Sequence, residues 1–325
     1  MVQCGVSYKF LSSFHVWFRG TGRGFGSAPR QKHKRCAKVS MSTPKNHHFV
    51  SQVHIKNFFN KEEKKIYVYD KIKKNHYCKN ATKTLFSEIG LNSKYSNGEV
   101  DHESLEKDLN DYFEKDFTIN TQCVENFVKR KVLNEEVEKA LVYFAKYGII
   151  GVMRTPRFKK SMDTTFFDVF KTISENAVPE LKARIEEMFE YKNEVNYSNV
   201  LNYSETVSQI LELMGNLVFK IITPINQKDF FLIPDFAAAT ARAKINKYFN
   251  PDIEEIVYIG IPLTSKIYIH FHSEKLFKRK EIPPSLIIHC SSEEVEIVNK
   301  TNFDYCQDKV ACENENYLKE FIRSY

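Results

Sequence analysis

His47 and His48 are adjacent, and His54 lies six and seven positions beyond them, which makes this the densest titratable cluster in the chain. Histidine is the natural general base near neutral pH and the commonest metal ligand. Adjacent side chains diverge on a helix or a strand, so such a pair holds one metal only with ligands from elsewhere. The competing reading is a structural pair. His270-Phe271-His272 sets two imidazoles on one face of a strand, which is metal-ligand spacing, with His289 as a candidate third ligand for zinc. Against that, Ile269 and Phe271 would take the buried face and leave the histidines in water. Asp235 follows Phe230–Ile233 and Pro234, where the chain turns from an extended run. It reads either as an active-site carboxylate or as the N-cap of a helix beginning near Phe236. Arg154-Thr155-Pro156-Arg157 closes a helix. Its two guanidinium groups suit a carboxylate or a phosphate, and they equally suit the negative end of a helix dipole. The acidic stretch Glu99–Asp116 reads as the solvated face of a helix.

Familiar signatures are missing from the body. GxGxxG, the P-loop pattern, HExxH, GxSxG and the EF-hand loop do not occur after residue 40. Gly22-Arg23-Gly24-Phe25-Gly26 has no strand before it and is set aside as a nucleotide loop. The seven cysteines are scattered and form no CxxC, so a zinc ribbon or thioredoxin-like motif has no support. Reduced thiols are expected, which points to a cytoplasmic protein.

Charge separates the chain into two parts. The formal charge is +7 over 325 residues, yet residues 1–40 hold eight basic side chains and no acid. The remainder carries 40 basic against 41 acidic residues, so the basic excess belongs to the leader. Three readings of residues 1–40 compete: an extension upstream of a start at Met41, an organellar transit peptide, or a basic arm for nucleic acid. Residues 41–325 are expected to form a single domain with a sizeable core, since 42% of the chain is hydrophobic. No apolar run approaches the length of a membrane span.

The elements that must position the candidate residues follow from pattern. Ile66–Asp70 is expected as a strand, and His47–Phe59 as either a short helix or an extended segment. Thr84–Ile89 is a further short element, and Asn97-Gly98 marks a turn. A helix is expected from Asp101 along Leu105, Leu109, Tyr112, Phe113 and Phe117. Another, capped by Asn134, buries Val137, Ala140, Leu141 and Phe144 and stops at Pro156. Further helices are expected over Thr164–Glu175, from Pro179, and over Ser204–Phe219. After Pro224, strands are expected at Phe230–Ile233, Glu255–Pro262, Lys266–His272 and Ser285–His289, with a helix over Ala237–Phe249. A capping box at Ser291 and Glu294 opens another helix, and a last helix ends the chain. Segregated elements make the fold α+β: short N-terminal strands, a helical middle, and C-terminal strands and helices forming one sheet packed against helices.

Several of these residues, taken in order, resemble the family grouped as domain of unknown function 4238. The segment His47–Phe58 resembles the family's opening motif, a His-His followed by an aromatic, Val-Pro-Gln and Leu-x-x-Phe. Ile66–Lys71 resembles its first strand, Leu105–Phe113 its acidic helix, and Arg154-Thr155-Pro156 its helix-ending Arg-Thr-Pro. Ile261–Ser265 resembles its Phe-Pro-Leu-Ser-Pro turn, and Asn299 stands where a late Asn is expected. Ser51 replaces the usual proline, and Ile233–Ala237 keeps only Asp235 of a Ser-Asp-Asn-Pro motif. The resemblance runs from about Lys45 to the end and carries no established activity.

Three function classes follow. One is a hydrolase, nuclease-like, with His47 or His48 as base or metal ligand, Asp235 as partner carboxylate, and a divalent metal as candidate cofactor. The second is a binding module that uses Arg154 and Arg157 on an acidic ligand or nucleic acid. The third is a defence or mobile-element factor. Whether the protein is an enzyme stays open from sequence.

Overall fold

The structure, a computed structural model, describes residues 45–96, 99–245, 254–278 and 283–325. The leader and Asn97-Gly98 lie outside the described residues. The segment His47–Phe59 is both extended and helical: β1 (Asn46–His48) leads into α1 (Gln52–Lys56). The β-branched and aromatic run becomes β2 (Ile66–Asp70), paired antiparallel with β3 (Asn75–Lys79). β4 (Ser87–Ile89) returns to β1 and sets His47 opposite Glu88 and His48 opposite Ser87. β5 (Lys94–Ser96) and β6 (Glu99–Asp101) pair with each other.

The helical middle follows the apolar periodicity. α2 (Ser104–Leu109) continues through a π-helical turn at Asn110–Glu114 into α3 (Phe117–Arg130). Leu105, Leu109, Phe113 and Phe117 are buried, whereas Tyr112 faces solvent. Asp101 accepts the backbone N–H groups of Glu103 and Ser104, as a capping carboxylate does. α4 (Glu135–Met153) is capped by Asn134, whose side chain accepts from Val137 N–H. α5 (Pro156–Glu175) begins eight residues before the expected Thr164, because Thr155 caps it and Pro156 takes its first position. Pro156 therefore starts a helix as well as ending the previous one. α6 (Pro179–Tyr191) opens on Pro179 as expected, and α7 (Tyr203–Met214) is capped by Asn202.

Two expected helices are corrected after that point. The one drawn to Phe219 ends at Met214, where Gly215 takes a φ of 70°. That left-handed backbone suits glycine, and the β-branched run that follows becomes β7 (Leu217–Pro224). The helix drawn over Ala237–Phe249 is absent from its described part. After β8 (Ile233–Pro234), residues Ala239–Ala243 form β9, and residues 246–250 lie outside the described residues. The alanines there serve close approach: a Cβ added to Gly151 of α4 would lie 2.7 Å from the Cβ of Ala237. Intrinsic helix preference yields to that packing.

β10 (Glu255–Thr264) and β11 (Ile267–Ser273) form a hairpin, followed by β12 (Leu286–Cys290), α8 (Ser292–Tyr305), β13 (Lys309–Cys312) and α9 (Glu315–Ser324). The Ser291–Glu294 capping box is formed in full. The class is α+β, and the C-terminal strands divide between two sheets. One has the order β12-β7-β11-β10-β9, and the other joins β13 and β8 to the N-terminal hairpin in the order β3-β2-β13-β8. β12 runs parallel to β7; the other pairings are antiparallel.

The core forms around α4, which is buried on nearly every side between α3, α7 and the larger sheet. Gly148 allows the sheet to close on it, since a Cβ there would sit 2.3 Å from Ile259. Among the described residues no helix is long and apolar enough to cross a membrane, and the described cysteines are free thiols.

Candidate functional site

The α4–α5 junction brings most of the candidate residues into one neighbourhood. Arg154 is 1% exposed. Its guanidinium donates to Glu114 Oε1 at 2.5 Å and to the His48 carbonyl at 2.7 Å. It is a structural cation, tying α4 to the π-turn and to β1. Its partners are a specific carboxylate and a backbone carbonyl from another element.

The first two turns of α5 are two-sided. Lys159 points inward, where its ammonium donates to the Leu91 carbonyl, Asn92 Oδ1 and Asn199 Oδ1 at 3.1, 2.5 and 2.6 Å. Burial, reinforced by the Arg154 charge, pulls its pKa down to about 7. Three ammonium protons meet three acceptors, so the group is fully engaged.

His47 belongs to the same network. Its Nδ1 accepts from Asn92 N–H at 3.0 Å and its Nε2 donates to the His102 carbonyl at 3.1 Å. Asn92 in turn donates to Glu106 at 2.6 Å. Burial lowers the His47 pKa, while Glu106 opposes the shift. His48 points the other way along β1, and its Nε2 donates to the Thr82 carbonyl at 3.1 Å. Burial lowers its pKa as well. Both rings are buried. His54 is separate again: its Nε2 donates to the Pro262 carbonyl at 2.5 Å and its Nδ1 faces the Tyr147 hydroxyl at 3.2 Å. Full burial drives its pKa down to about 4.

Asp235 sits elsewhere and is not a helix cap, since no helix follows it. Oδ1 accepts from Gln307 N–H at 3.0 Å, and Oδ2 accepts from Asp308 and Lys309 N–H at 2.5 and 3.1 Å. Burial raises its pKa, opposed by these three donors. Among the described residues no hydrogen bond joins Asp235 to His47 or His48. The late Asn299 does similar work: its amide bonds Leu232 N–H, the Phe230 carbonyl and the Tyr317 hydroxyl.

The outward face of α5 lines a shallow groove of about 440 Å³. Arg157, Lys160, Ser161 and Thr164 form its floor with Pro156, while Tyr197 and Gln307 form two walls. The floor residues recur at helical spacing, so one face carries them all. The Tyr197 wall is held by its hydroxyl, which donates to Glu88 Oε1 at 3.0 Å, and by the neighbouring Ser198 N–H, which bonds Asp163. Glu88 is the residue opposite His47 in the β1–β4 register. The Gln307 wall is the one Asp235 holds. Of the predicted site residues Arg157 lines the groove, while His47 stands opposite the Glu88 that Tyr197 bonds and Asp235 bonds the Gln307 backbone.

The His270–His272 pair is corrected in one respect. Ile269 and Phe271 do take the buried face, but the opposite face is also covered. His270 Nδ1 meets the Tyr258 hydroxyl at 2.7 Å, its ring packs on Tyr268, and burial takes its pKa to about 3. His289 pairs instead with the Thr223 hydroxyl. Among the described residues no group of three or more His, Cys, Asp or Glu is placed to hold a metal ion.

Sequence reading missed Lys160, Ser161, Tyr197 and Gln307. A helix started at Pro156 would have shown the Arg157-Lys160-Ser161-Thr164 stripe. Tyr197 and Gln307 arrive from distant segments and leave no local signal.

The model of one protein family, described as "Protein of unknown function (DUF4238)", matches residues 46–316. No curated protein and no solved structure matches the chain.

Proposed function

The chain belongs to the DUF4238 family, and within it we propose a binding protein whose groove takes the phosphate of an anionic ligand. The observation that carries this reading is the lining itself. Arg157 and Lys160 stand one helical turn apart beside the Ser161 hydroxyl and the Gln307 amide, with no carboxylate among the described lining residues. The groove also opens at the positive end of α5, where the helix dipole adds to the attraction. Arginine offers a fork that matches two phosphate oxygens, and lysine adds a point charge. Arg154, the other arginine expected to touch the ligand, acts behind the surface by fixing the α4–α5 junction.

The test uses the full chain at low salt. A fluorescein-labelled single-stranded oligonucleotide is followed by anisotropy, with inorganic phosphate as competitor, so that a strand and a free phosphate are distinguished. Arg157→Glu with Lys160→Glu is expected to weaken binding at least tenfold and to reduce its salt dependence by about two charges. Oligonucleotide binding left intact by those substitutions would move the activity to the acid-free leader and overturn the reading.

A nuclease-like hydrolase working through His47 or His48 with Asp235 is the second reading. What favours it is that burial keeps both imidazoles neutral, the form a general base requires. It stands behind the first because both rings are buried, His47 and Asp235 spend their polar atoms on backbone groups, and among the described residues no hydrogen bond joins Asp235 to either imidazole. Cleavage of the oligonucleotide, lost in His48→Gln and retained in Arg157→Ala, would put it first.

A further inference from the structure

Asp235 is buried, and it spends both carboxylate oxygens on three successive backbone N–H groups, those of Gln307, Asp308 and Lys309. Such a grip fixes the path of the loop between α8 and β13. Other bonds hold the same loop from its far side. The Asp308 carbonyl accepts from Lys71 N–H at 2.7 Å, and the Lys71 ammonium donates to the Phe303 and Cys306 carbonyls at 2.6 and 2.8 Å. The loop therefore has little freedom, although the Gln307 side chain is exposed. Gln307 is what the loop contributes to the lining of the groove.

We propose that Gln307 is a ligand contact of the groove and that Asp235 is its positioning residue, acting through the Gln307 backbone. The proposal rests on the anion-binding reading given above. Its chemistry is a division of labour. Arg157 and Lys160 supply charge from the helix. Gln307 supplies a neutral amide from another segment, able to donate to an oxygen atom of the bound phosphate. A neutral donor adds direction without adding to the charge the ligand must neutralise. Asp235 itself does not reach the groove through any bond it makes; its effect is to keep the amide in place. This also explains why a buried carboxylate with no cationic partner among the described residues is tolerated here: three charge-assisted bonds to backbone donors take the place of one.

The test is isothermal titration of the full chain with inorganic phosphate at low ionic strength, with folding at the assay temperature checked by circular dichroism. Gln307→Ala is expected to weaken phosphate affinity about ten- to a hundredfold, the range for one hydrogen bond to a charged group. Asp235→Asn keeps the side-chain shape and weakens the grip on the loop, and it is expected to give a similar loss. The decisive readout is the double variant. If Asp235 acts through Gln307, adding Gln307→Ala to Asp235→Asn costs little more than either alone. A loss from Asp235→Asn that simply adds to that of Gln307→Ala overturns the positioning role. Binding abolished by Arg157→Ala with Lys160→Ala, yet unchanged in both Gln307→Ala and Asp235→Asn, overturns this proposal and leaves the anion-binding reading standing. No phosphate binding by the wild-type chain overturns both.

Discussion

Replacing Arg154 by methionine removes a cation that is 2% exposed at its side chain while leaving its partner Glu114, which is 18% exposed, in place. Two bonds go: the 2.5 Å contact to Glu114 and the 2.7 Å contact to the His48 carbonyl. Breaking a buried pair by removing one member costs about 3–5 kcal/mol, mostly because the surviving charge is stranded. Glu114 keeps some access to water, so the lower end applies, about 3 kcal/mol. At about 2–4 °C per kcal/mol for a chain of this size, the melting temperature should fall by about 6–12 °C. Adding Glu114→Gln removes the stranded charge and should return more than about 1 kcal/mol, a coupling typical of contacting residues. Arg154→Lys should recover only part of the loss, since one ammonium cannot reproduce a fork spanning two acceptors. Equilibrium urea unfolding followed by circular dichroism measures all three. A methionine variant within 1 kcal/mol of wild type, or a double variant no better than the single, would refute the assignment of Arg154 to the scaffold.

Three further outcomes are expected. Stability should fall as pH drops from 7.5 to 5, because His54 titrates near 4 when folded and near 6.5 when unfolded. The unfolded chain binds the proton first, so this contribution is complete above 6.5 and is lost on acidification. It amounts to about 2 kcal/mol by pH 5, with His47, His48 and His270 acting in the same direction; a flat urea midpoint over that range would contradict it. Gly148→Ala should lower the melting temperature despite alanine's better helix propensity. The added Cβ meets Ile259 at 2.3 Å, and overpacking costs about 1–3 kcal/mol, so a stabilised variant would contradict the close packing of α4 on β10. Asn299→Ala should cost about 3 kcal/mol by leaving Leu232 N–H and the Phe230 carbonyl buried without their partner, read as a lower urea midpoint and faster proteolysis of segment 230–236.

Much of the fold was legible where the signal is local. Caps and periodicity located α4 and α8, because Asn134 and the Ser291–Glu294 box satisfy backbone groups within one turn. Strand alternation correctly put Ile269 and Phe271 on the buried face of β11. The failures are long-range. The alanine-rich run leading into β9 reads as helix because nothing nearby announces that Gly151 will press against Ala237. Leu217–Phe219 reads as the tail of α7 until Gly215 is seen to turn the chain, after which two strands that lie later in sequence claim the run to Pro224. The groove suffered from a boundary error: with α5 begun at Thr164, Arg157 seemed an isolated helix-end cation rather than the first member of a stripe with Lys160 and Ser161.

Residue type alone does not locate a site, for a physical reason. The atoms that make histidine and aspartate good catalysts are hydrogen-bonding atoms, and a buried backbone has the same need for them. The useful question is what each polar atom already bonds. His47 has both ring nitrogens committed, to Asn92 and His102, and Asp235 has both oxygens committed to three N–H groups. Lys159 matches each of its three protons to an acceptor. Such groups hold neighbouring segments in place, and burial is the first cause of their perturbed pKa values. The same accounting applied to α5 separates Lys159, whose donors are engaged inside, from Lys160, which faces the groove one residue later. On this helix a single step along the chain divides the residue engaged in the interior from the one that lines the groove.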